Sequence, residues 1–388
     1  MAESIYIHIP FCKTKCPYCD FASWAKKEHL FEEYIDALIS EIKTKCEAYA
    51  EHRNGEANGR NGKLSHCSIA PSLIRSLFIG GGTPSLIPPE LYEKLFSELK
   101  KYFQFSNDCE ITMELNPGTA KDDFLIGYKK LGVNRISIGA QSFDEKILET
   151  LGRKHSVGET IEAIEKIKNA GFTNFNLDFI FSVPGMTKKI WEESIYKALS
   201  FNPKHISSYS LIVEPGTPFE HIYKDPKSLP TDDIASEFYM LLCHILNENG
   251  YKHYEVSNFA KSGFESKHNL SYWLAKEYYA FGVGAHRYLN GLRSANTKDL
   301  DLYISNPNIE TIVDFPINYD FEKIMLTSRL NQGFSLQAIE KVTTKDKYYV
   351  KNMLHTLIDE GFIELFEDNV HLTDKGMFVN NEILLKLI

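Results

Sequence analysis

From residue 5 to about residue 212, short strand-like runs alternate with longer amphipathic ones, and this alternation restricts the fold more than any other feature. Strand-like segments at 5–9, 76–79, 110–115, 135–138, 174–179 and 205–210 are separated by helical patterns at 31–46, 89–102, 122–131, 157–170 and 188–198. Two parallel strands need a long crossover between them, usually a helix, and such crossovers are right-handed. The series therefore predicts an α/β fold with a parallel sheet, and six units are too few for a closed eight-stranded barrel. In folds of this kind the chemistry gathers on the loops after the C-terminal ends of the strands.

The loop after the first predicted strand carries Cys12, Cys16 and Cys19, spaced C-x3-C-x2-C. Three thiolates on one loop can hold three irons of a [4Fe–4S] cluster and leave the fourth iron open. Electron-transfer clusters normally use four cysteines. An open coordination position serves to bind and act on something, as at catalytic zinc. The alternative is zinc, which usually takes C-x2-C pairs supplying four ligands. No second pair exists: Cys46, Cys67, Cys109 and Cys243 stand apart.

With 388 residues, 43% hydrophobic and 24% charged, the chain has the balance of a soluble globular protein of two or three domains. A net charge of −9 argues against general nucleic-acid binding, which needs a basic surface. Seven cysteines, an odd number, do not suggest a disulfide framework, and free thiols suit a reducing cytoplasm. Met1-Ala-Glu-Ser4 lacks the basic and apolar regions of a signal peptide, and no apolar run is long enough for a membrane span. Peripheral membrane contact is left open. Residues 51–66, rich in Gly and Asn, read as a flexible surface loop. Beyond residue 215 the alternation decays. We expect three units: 1–215, the β/α series; 216–315, a mixed α/β extension with a helix at 232–249; and 316–388, a winged-helix-like module with a hairpin at 362–366 and 369–372. That last unit carries eight Lys/Arg against eleven Asp/Glu, the wrong sign for reading DNA.

The cysteine spacing resembles that of the radical S-adenosylmethionine (SAM) superfamily. The resemblance implies a partial (β/α)6 barrel with a C-terminal α+β extension. It also implies SAM chelated to the open iron corner through its amine and carboxylate, and a C–S bond broken by the reduced cluster. The cofactor supplies that chemistry, while the protein binds, orients and shields. Tyr18, inside the C-x2-C step, is implied to lie against adenine; otherwise it is an aromatic packing on the barrel rim. Gly80-Gly-Gly-Thr-Pro-Ser85 follows the second strand, where glycines let backbone groups approach a ligand. The matching segment of the superfamily binds the SAM amino group, which makes Gly81, Gly82 and Thr83 candidates. Glu114, Gln141, Arg153 and Asp178 fall at or soon after successive strand ends. Singly, each is more often a structural polar group. Together they resemble the SAM-binding set of the coproporphyrinogen oxidase branch, in which Arg pairs with a carboxylate and acids and amides hold ribose and ammonium.

Five phrases narrow the resemblance to the HemW family, heme chaperones related to oxygen-independent coproporphyrinogen III oxidase: Tyr6-Ile-His-Ile-Pro-Phe-Cys12, Gly80–Ser85, Gly139-Ala-Gln-Ser-Phe143, 176–185 and His268-Asn-Leu-Ser-Tyr-Trp273. Tyr6 joins the cofactor-binding candidates with this phrase. The true oxidase resembles C-x3-C-x2-C-x-C, with a further cysteine where this chain has Phe21, and it has a longer arm before the first cysteine. Both departures favour the chaperone: a protein that binds the cluster, SAM and heme and passes heme to acceptor proteins. The alternative is the oxidase, decarboxylating propionates to vinyl groups. His268 is the implied heme ligand, with Tyr272 and Trp273 covering a porphyrin face, although spacing alone favours a structural histidine. His286 is a weaker second candidate, and His8 and His205 are expected to be structural or to line the barrel.

Overall fold

Chain order and sheet order coincide across the first half of the molecule. In this computed structural model, which describes residues 2–58, 72–313 and 318–388, six parallel strands run side by side: β1 (Ser4–Ile9), β2 (Ser72–Gly81), β3 (Phe103–Leu115), β4 (Arg135–Gln141), β5 (Phe175–Phe181) and β6 (His205–Ser210). Helices Phe31–Asn58, Pro89–Tyr102, Asp122–Leu131, Val157–Asn169 and Lys188–Ser200 connect them. Because every crossover steps to the next strand with the same hand, the helices fall on one face and the sheet curls around the other.

The period-two alternation of a strand then separates two environments. Ile5, Ile7, Ile9, Leu77, Ile79, Ile136 and Ile138 belong to one large apolar cluster under the helices. The alternate residues Glu114, Ser137, Gly139, Asp178 and Tyr209 line an interior cavity. Helix ends are fixed locally. Ser156 and Glu159 form a reciprocal capping box at the start of Val157–Asn169, and the Thr187 hydroxyl accepts from the Ile190 amide.

The arc does not close, because both of its edges are extended. On one side β7 (Lys252–Glu255) and β8 (Asn258–Ala260) add antiparallel to β6. On the other, β9 (Tyr278–Phe281) pairs parallel with β1 and leads into the antiparallel strands β10 (His286–Leu289), β11 (Leu292–Asn296) and β12 (Glu310–Ile312). The result is one twelve-stranded sheet. The region after 215 is thus built from strands of three to five residues that finish the sheet, alongside a helix at Asp232–Glu248.

One expectation needs correction. The helix after β1 continues to Asn58, so residues 51–58 are helical where a surface loop was expected; residues 59–66, like Cys67, lie outside those described. At the C-terminal end, Ile363–Phe366 and Asn369–Leu372 form the expected hairpin, and Phe334–Ser335 adds a third strand. These strands and the neighbouring helices enclose a separate apolar cluster that includes Ile324, Phe334, Leu357, Val370 and Leu384. Among the described residues, no helix is long and apolar enough to cross a membrane.

Candidate functional site

The cysteine loop is pinned at both ends. Phe11–Cys12 pairs with Trp24–Ala25, and the Trp24 amide donates to the Pro10 carbonyl at 2.7 Å. Inside the loop, the Cys19 amide donates to the Cys16 carbonyl at 3.1 Å, a turn that brings the last two thiols round together. His8 holds the loop from beneath. Its Nε2 lies 2.8 Å from the Ala22 carbonyl, and its Nδ1 lies 2.9 Å from the Tyr6 hydroxyl. A carbonyl only accepts, so Nε2 carries the proton and Nδ1 accepts from Tyr6. Burial keeps this imidazole neutral, holding it down to about 4.

The glycine segment at the end of β2 approaches the loop as only glycine can. A Cβ on Gly82 would lie 2.7 Å from the Phe11 carbonyl oxygen and 3.0 Å from Cys12 Sγ. Gly81 has φ +116°, and its amide donates to Glu114 Oε2 at 2.9 Å. The Thr83 hydroxyl lies 3.6 Å from Cys12 Sγ.

Arg153 reaches in from the loop after Glu145–Thr150. Its Nη1 lies 3.3 Å from Cys16 Sγ and 3.4 Å from the Tyr18 hydroxyl, while Nη2 donates to the Gly139 carbonyl at 3.1 Å. Nε donates to His155 Nδ1 at 3.3 Å, and His155 Nε2 donates to the Ala140 carbonyl at 3.2 Å. Burial and the guanidinium together hold His155 neutral, at about 4. The guanidinium is therefore aimed by the Gly139 carbonyl and by a histidine, itself held by the Ala140 carbonyl, that sequence reasoning did not single out.

Two half-buried carboxyls face the same space. Glu114 is pushed up to about 8, first by burial and then by the nearby Asp178. Asp178 is raised as well by burial, against which Asn176 and Ser137 donate to its two oxygens at 2.7 and 3.0 Å. Gln141 ends β4 with φ +64°, a left-handed conformation at a break in the β4–β5 register. Such strain in a non-glycine residue is typical of ligand-facing positions.

These groups converge on one cavity of about 490 Å³, within the usual range for small-molecule sites. It is lined by Cys12, Cys16, Cys19 and Tyr18 from the loop, by Gly81, Gly82 and Thr83, and by Glu114, Gln141, Arg153 and Asp178. Phe21 lies at its mouth, 65% exposed. Asn116, Ser137, Ile180 and Tyr209 also line it, and none of them was foreseen. An inward strand position after each recognised residue was the signal that could have found Ile180 and Tyr209.

Two candidates lie elsewhere. Tyr6 is below the cavity, bonded upward to His8, with its ring 6.4 Å from that of His268. His268 is buried near the opposite, N-terminal end of the strands, where its Nδ1 meets Ser76 Oγ at 3.1 Å and its Nε2 meets the Tyr272 hydroxyl at 2.8 Å. It stacks on Phe78 at 5.1 Å, and burial followed by Arg135 holds it at about 3. Trp273 packs under the Arg329 guanidinium, 5.5 Å from its ring centre. His286 is exposed on β10. His205 is buried between Asn176 and Tyr254, both within hydrogen-bond distance.

The donor set fits a cluster with one open corner. Among the described cysteines only Cys12, Cys16 and Cys19 line this cavity, and the glycine approach leaves room beside Cys12 that a side chain would fill. Comparison with known proteins agrees. Residues 68–196 match the radical SAM superfamily and residues 316–379 match the HemN C-terminal domain. Heme chaperone HemW of Haemophilus influenzae is 36% identical, covering 98% of this chain and 96% of that protein. The HemW proteins of Bacillus subtilis and Escherichia coli are 33% and 32% identical, each over 98% of this chain and 98% and 97% of their own lengths. The solved structure of coproporphyrinogen III oxidase (HemN) from Escherichia coli, a radical SAM enzyme, superposes with TM-score 0.79 over 99% of this chain and 89% of that one at 21% identity, which shows a shared fold. The chain belongs to the HemW heme-chaperone family of the radical SAM superfamily.

Proposed function

We propose that this chain binds a [4Fe–4S] cluster, SAM and heme, and delivers heme to acceptor proteins in a reducing cytoplasm. The observation that carries the reading is the convergence of three thiols with Gly81–Thr83, Glu114, Gln141, Arg153 and Asp178 on one cavity, in a chain of this family. On this reading Cys12, Cys16 and Cys19 hold three irons. When bound, the cluster supplies an open iron corner for the amine and carboxylate of SAM.

The chain's own residues bind and orient. Gly81 and Gly82 admit a ligand close to the backbone. Glu114 and Asp178 offer carboxyls to the N–H groups of the iron-bound amine and to ribose hydroxyls, and Arg153 offers a fixed positive charge to a carboxylate. Tyr18 offers a ring face to adenine. The polar inner wall is otherwise tied up in its own hydrogen bonds, among them those joining Ser137, Asn176 and Ser207. That leaves few groups free to compete for the ligand. On this reading the labour is divided among three units: 1–215 carry the cavity, 216–315 carry the His268 motif and 316–388 form the C-terminal module.

We assign His268 to heme iron in an opened form of helix Lys267–Trp273. In the closed form both ring nitrogens are taken by Ser76 and Tyr272, so ligation needs that helix to release Tyr272. Because Ser76 donates to Ser4, it accepts from Nδ1, and release of Tyr272 would free the Nε2 lone pair for iron. The test is heme titration of the wild type and of His268→Ala, followed by transfer to an apo-acceptor. Failure of the wild type to bind or deliver heme ends this reading. Vinyl product formed from coproporphyrinogen III under anaerobic conditions with SAM and a reductant would instead support the oxidase.

A further inference from the structure

A second group of metal-binding side chains meets where the far sheet edge joins the C-terminal module. Cys243 lies on helix Asp232–Glu248, His253 on edge strand β7, and Asp374 opens helix Asp374–Phe378. His253 Nδ1 is 3.9 Å from Cys243 Sγ and 2.7 Å from Asp374 Oδ1, and the three donor atoms lie within 4.8 Å of one another. None of the three lines the cysteine-loop cavity. In sequence Cys243 stood alone; the fold supplies its neighbours.

Hydrogen bonds on the other side of the imidazole decide which nitrogen faces this group. The Tyr239 hydroxyl donates its one proton to the Val256 carbonyl at 2.7 Å. His253 Nε2 lies 3.1 Å from that hydroxyl oxygen and 3.4 Å from the same carbonyl. Neither can give it a proton, so Nε2 carries one. The ring is held in place by stacking on Phe259, with centres 4.3 Å apart and planes at 14°. A neutral His253 therefore turns the lone pair of Nδ1 toward a carboxylate oxygen and a sulfur. Acceptors this close need a cation between them. A backbone carbonyl behind the second nitrogen is the usual support of a metal-bound imidazole.

We propose that Cys243, His253 and Asp374 bind zinc, with water as the fourth ligand, and so clamp the C-terminal module to the sheet edge. Thiolate, imidazole and carboxylate together suit zinc and not calcium or magnesium. Zinc bond lengths at tetrahedral angles put sulfur and nitrogen about 3.6 Å apart and nitrogen and oxygen about 3.4 Å apart. The observed sulfur–nitrogen distance is close to this. Asp374, whose side chain is 44% exposed, is free to withdraw the remaining fraction of an ångström. Binding displaces the thiol proton to solvent. A proton in place of zinc would serve His253 and Asp374 as an ion pair and leave the Cys243 sulfur to packing in the apolar core.

The test uses the full chain and does not depend on the heme reading. Cluster-loaded protein purified without chelator is expected to hold one equivalent of zinc, lost in Cys243→Ser with iron content unchanged. Because zinc could occupy an empty cysteine loop, a variant with Cys12, Cys16 and Cys19 all changed to Ser is titrated with Co²⁺. A thiolate-to-cobalt charge-transfer band at one equivalent is expected, and it should vanish when Cys243→Ser is added. Should Cys243→Ser not fold, Asp374→Asn, at an exposed position, is expected to weaken Co²⁺ binding at least tenfold. No charge-transfer band, or zinc retained unchanged in these variants, would mean an ion pair only and would overturn the proposal.

Discussion

The guanidinium of Arg153 sits 3.3 Å from the sulfur of Cys16, held there by Gly139 and His155. A positive charge fixed beside this thiol would favour an anionic cluster and an anionic ligand group at the same spot. Arg153→Lys keeps the charge but cannot reach Cys16, Tyr18, Gly139 and His155 together. Iron content should stay as in the wild type, because the three thiols are intact. SAM affinity should fall roughly ten- to hundredfold, the worth of one charge-assisted hydrogen bond. Calorimetric titration of the cluster-loaded variant checks this, and unchanged affinity would remove Arg153 from the ligand set.

Gly82→Ala tests the approach of β2 to the cysteine loop. The added Cβ would fall 2.7 Å from the Phe11 carbonyl oxygen, a backbone atom that cannot rotate away. The expected cost is about 1–3 kcal/mol of stability, as for other overpacked sites, together with reduced iron incorporation. Thermal unfolding and iron analysis measure both. Wild-type values for each would show that the loop is not held as described.

Glu114 gives a pH dependence with a definite sign. Its carboxyl titrates near 8 in the folded chain against an ordinary 4.5, so the folded state binds this proton more tightly than the unfolded one. Its contribution to stability is therefore complete below 4.5 and is lost as pH rises to 8. The N–H groups of an iron-bound amine and the ribose hydroxyls favour the ionised form as their acceptor. SAM affinity should therefore rise with pH and level off near 8, where Glu114 has lost its proton, with a second contribution from the proton that SAM's own amine sheds on chelation. Glu114→Gln should abolish the stability slope and make the binding profile shallower, leaving only the amine's share. A binding profile unchanged by Glu114→Gln would exclude Glu114 from recognition of the amine.

His268 is packed against Phe78 and hydrogen-bonded at both nitrogens, so its replacement has two expected effects. His268→Ala should cost about 2–4 kcal/mol through an unfilled space and the orphaned Tyr272 hydroxyl. It should also lower heme affinity. Tyr272→Phe separates the two: it frees Nε2 without removing the ring, and heme should bind at least as tightly as to the wild type. Weaker heme binding by Tyr272→Phe would argue against an opened helix as the binding form.

The parts legible in the sequence are those where one strong period or spacing acts alone. Strands β1, β3, β4 and β5 carry apolar residues at alternate positions, as in Ile5, Ile7 and Ile9, and the helices have matching stripes, whereas β6 contributes only Ile206. The cysteine loop, the glycine segment and the carboxylates at strand ends stand in a fixed relation to those strands, and the cavity unites them. Strands β7 to β12, of three to five residues each, are too short to show a period, and their place at the sheet edges is decided by tertiary pairing. Helix Phe31–Asn58 runs through Gly55 and polar neighbours that locally signal a loop. His155, Ser137 and Asn176 were invisible because a polar residue inside a strand or turn carries no mark of what it will aim. His268 was assigned by motif, and only the fold reveals that Ser76 and Tyr272 already hold its ring.

Three thiols, Cys12, Cys16 and Cys19, are proposed to hold a cluster whose remaining iron is free for SAM. Electron paramagnetic resonance of anaerobically purified, reduced protein before and after SAM addition, with iron and sulfide analysis of the same sample, decides it. Expected are about four irons and four sulfides per chain, a [4Fe–4S]⁺ signal that changes on adding SAM, and loss of that signal in Cys16→Ser. Zinc or no metal at these cysteines, or a cluster signal indifferent to SAM, would contradict it.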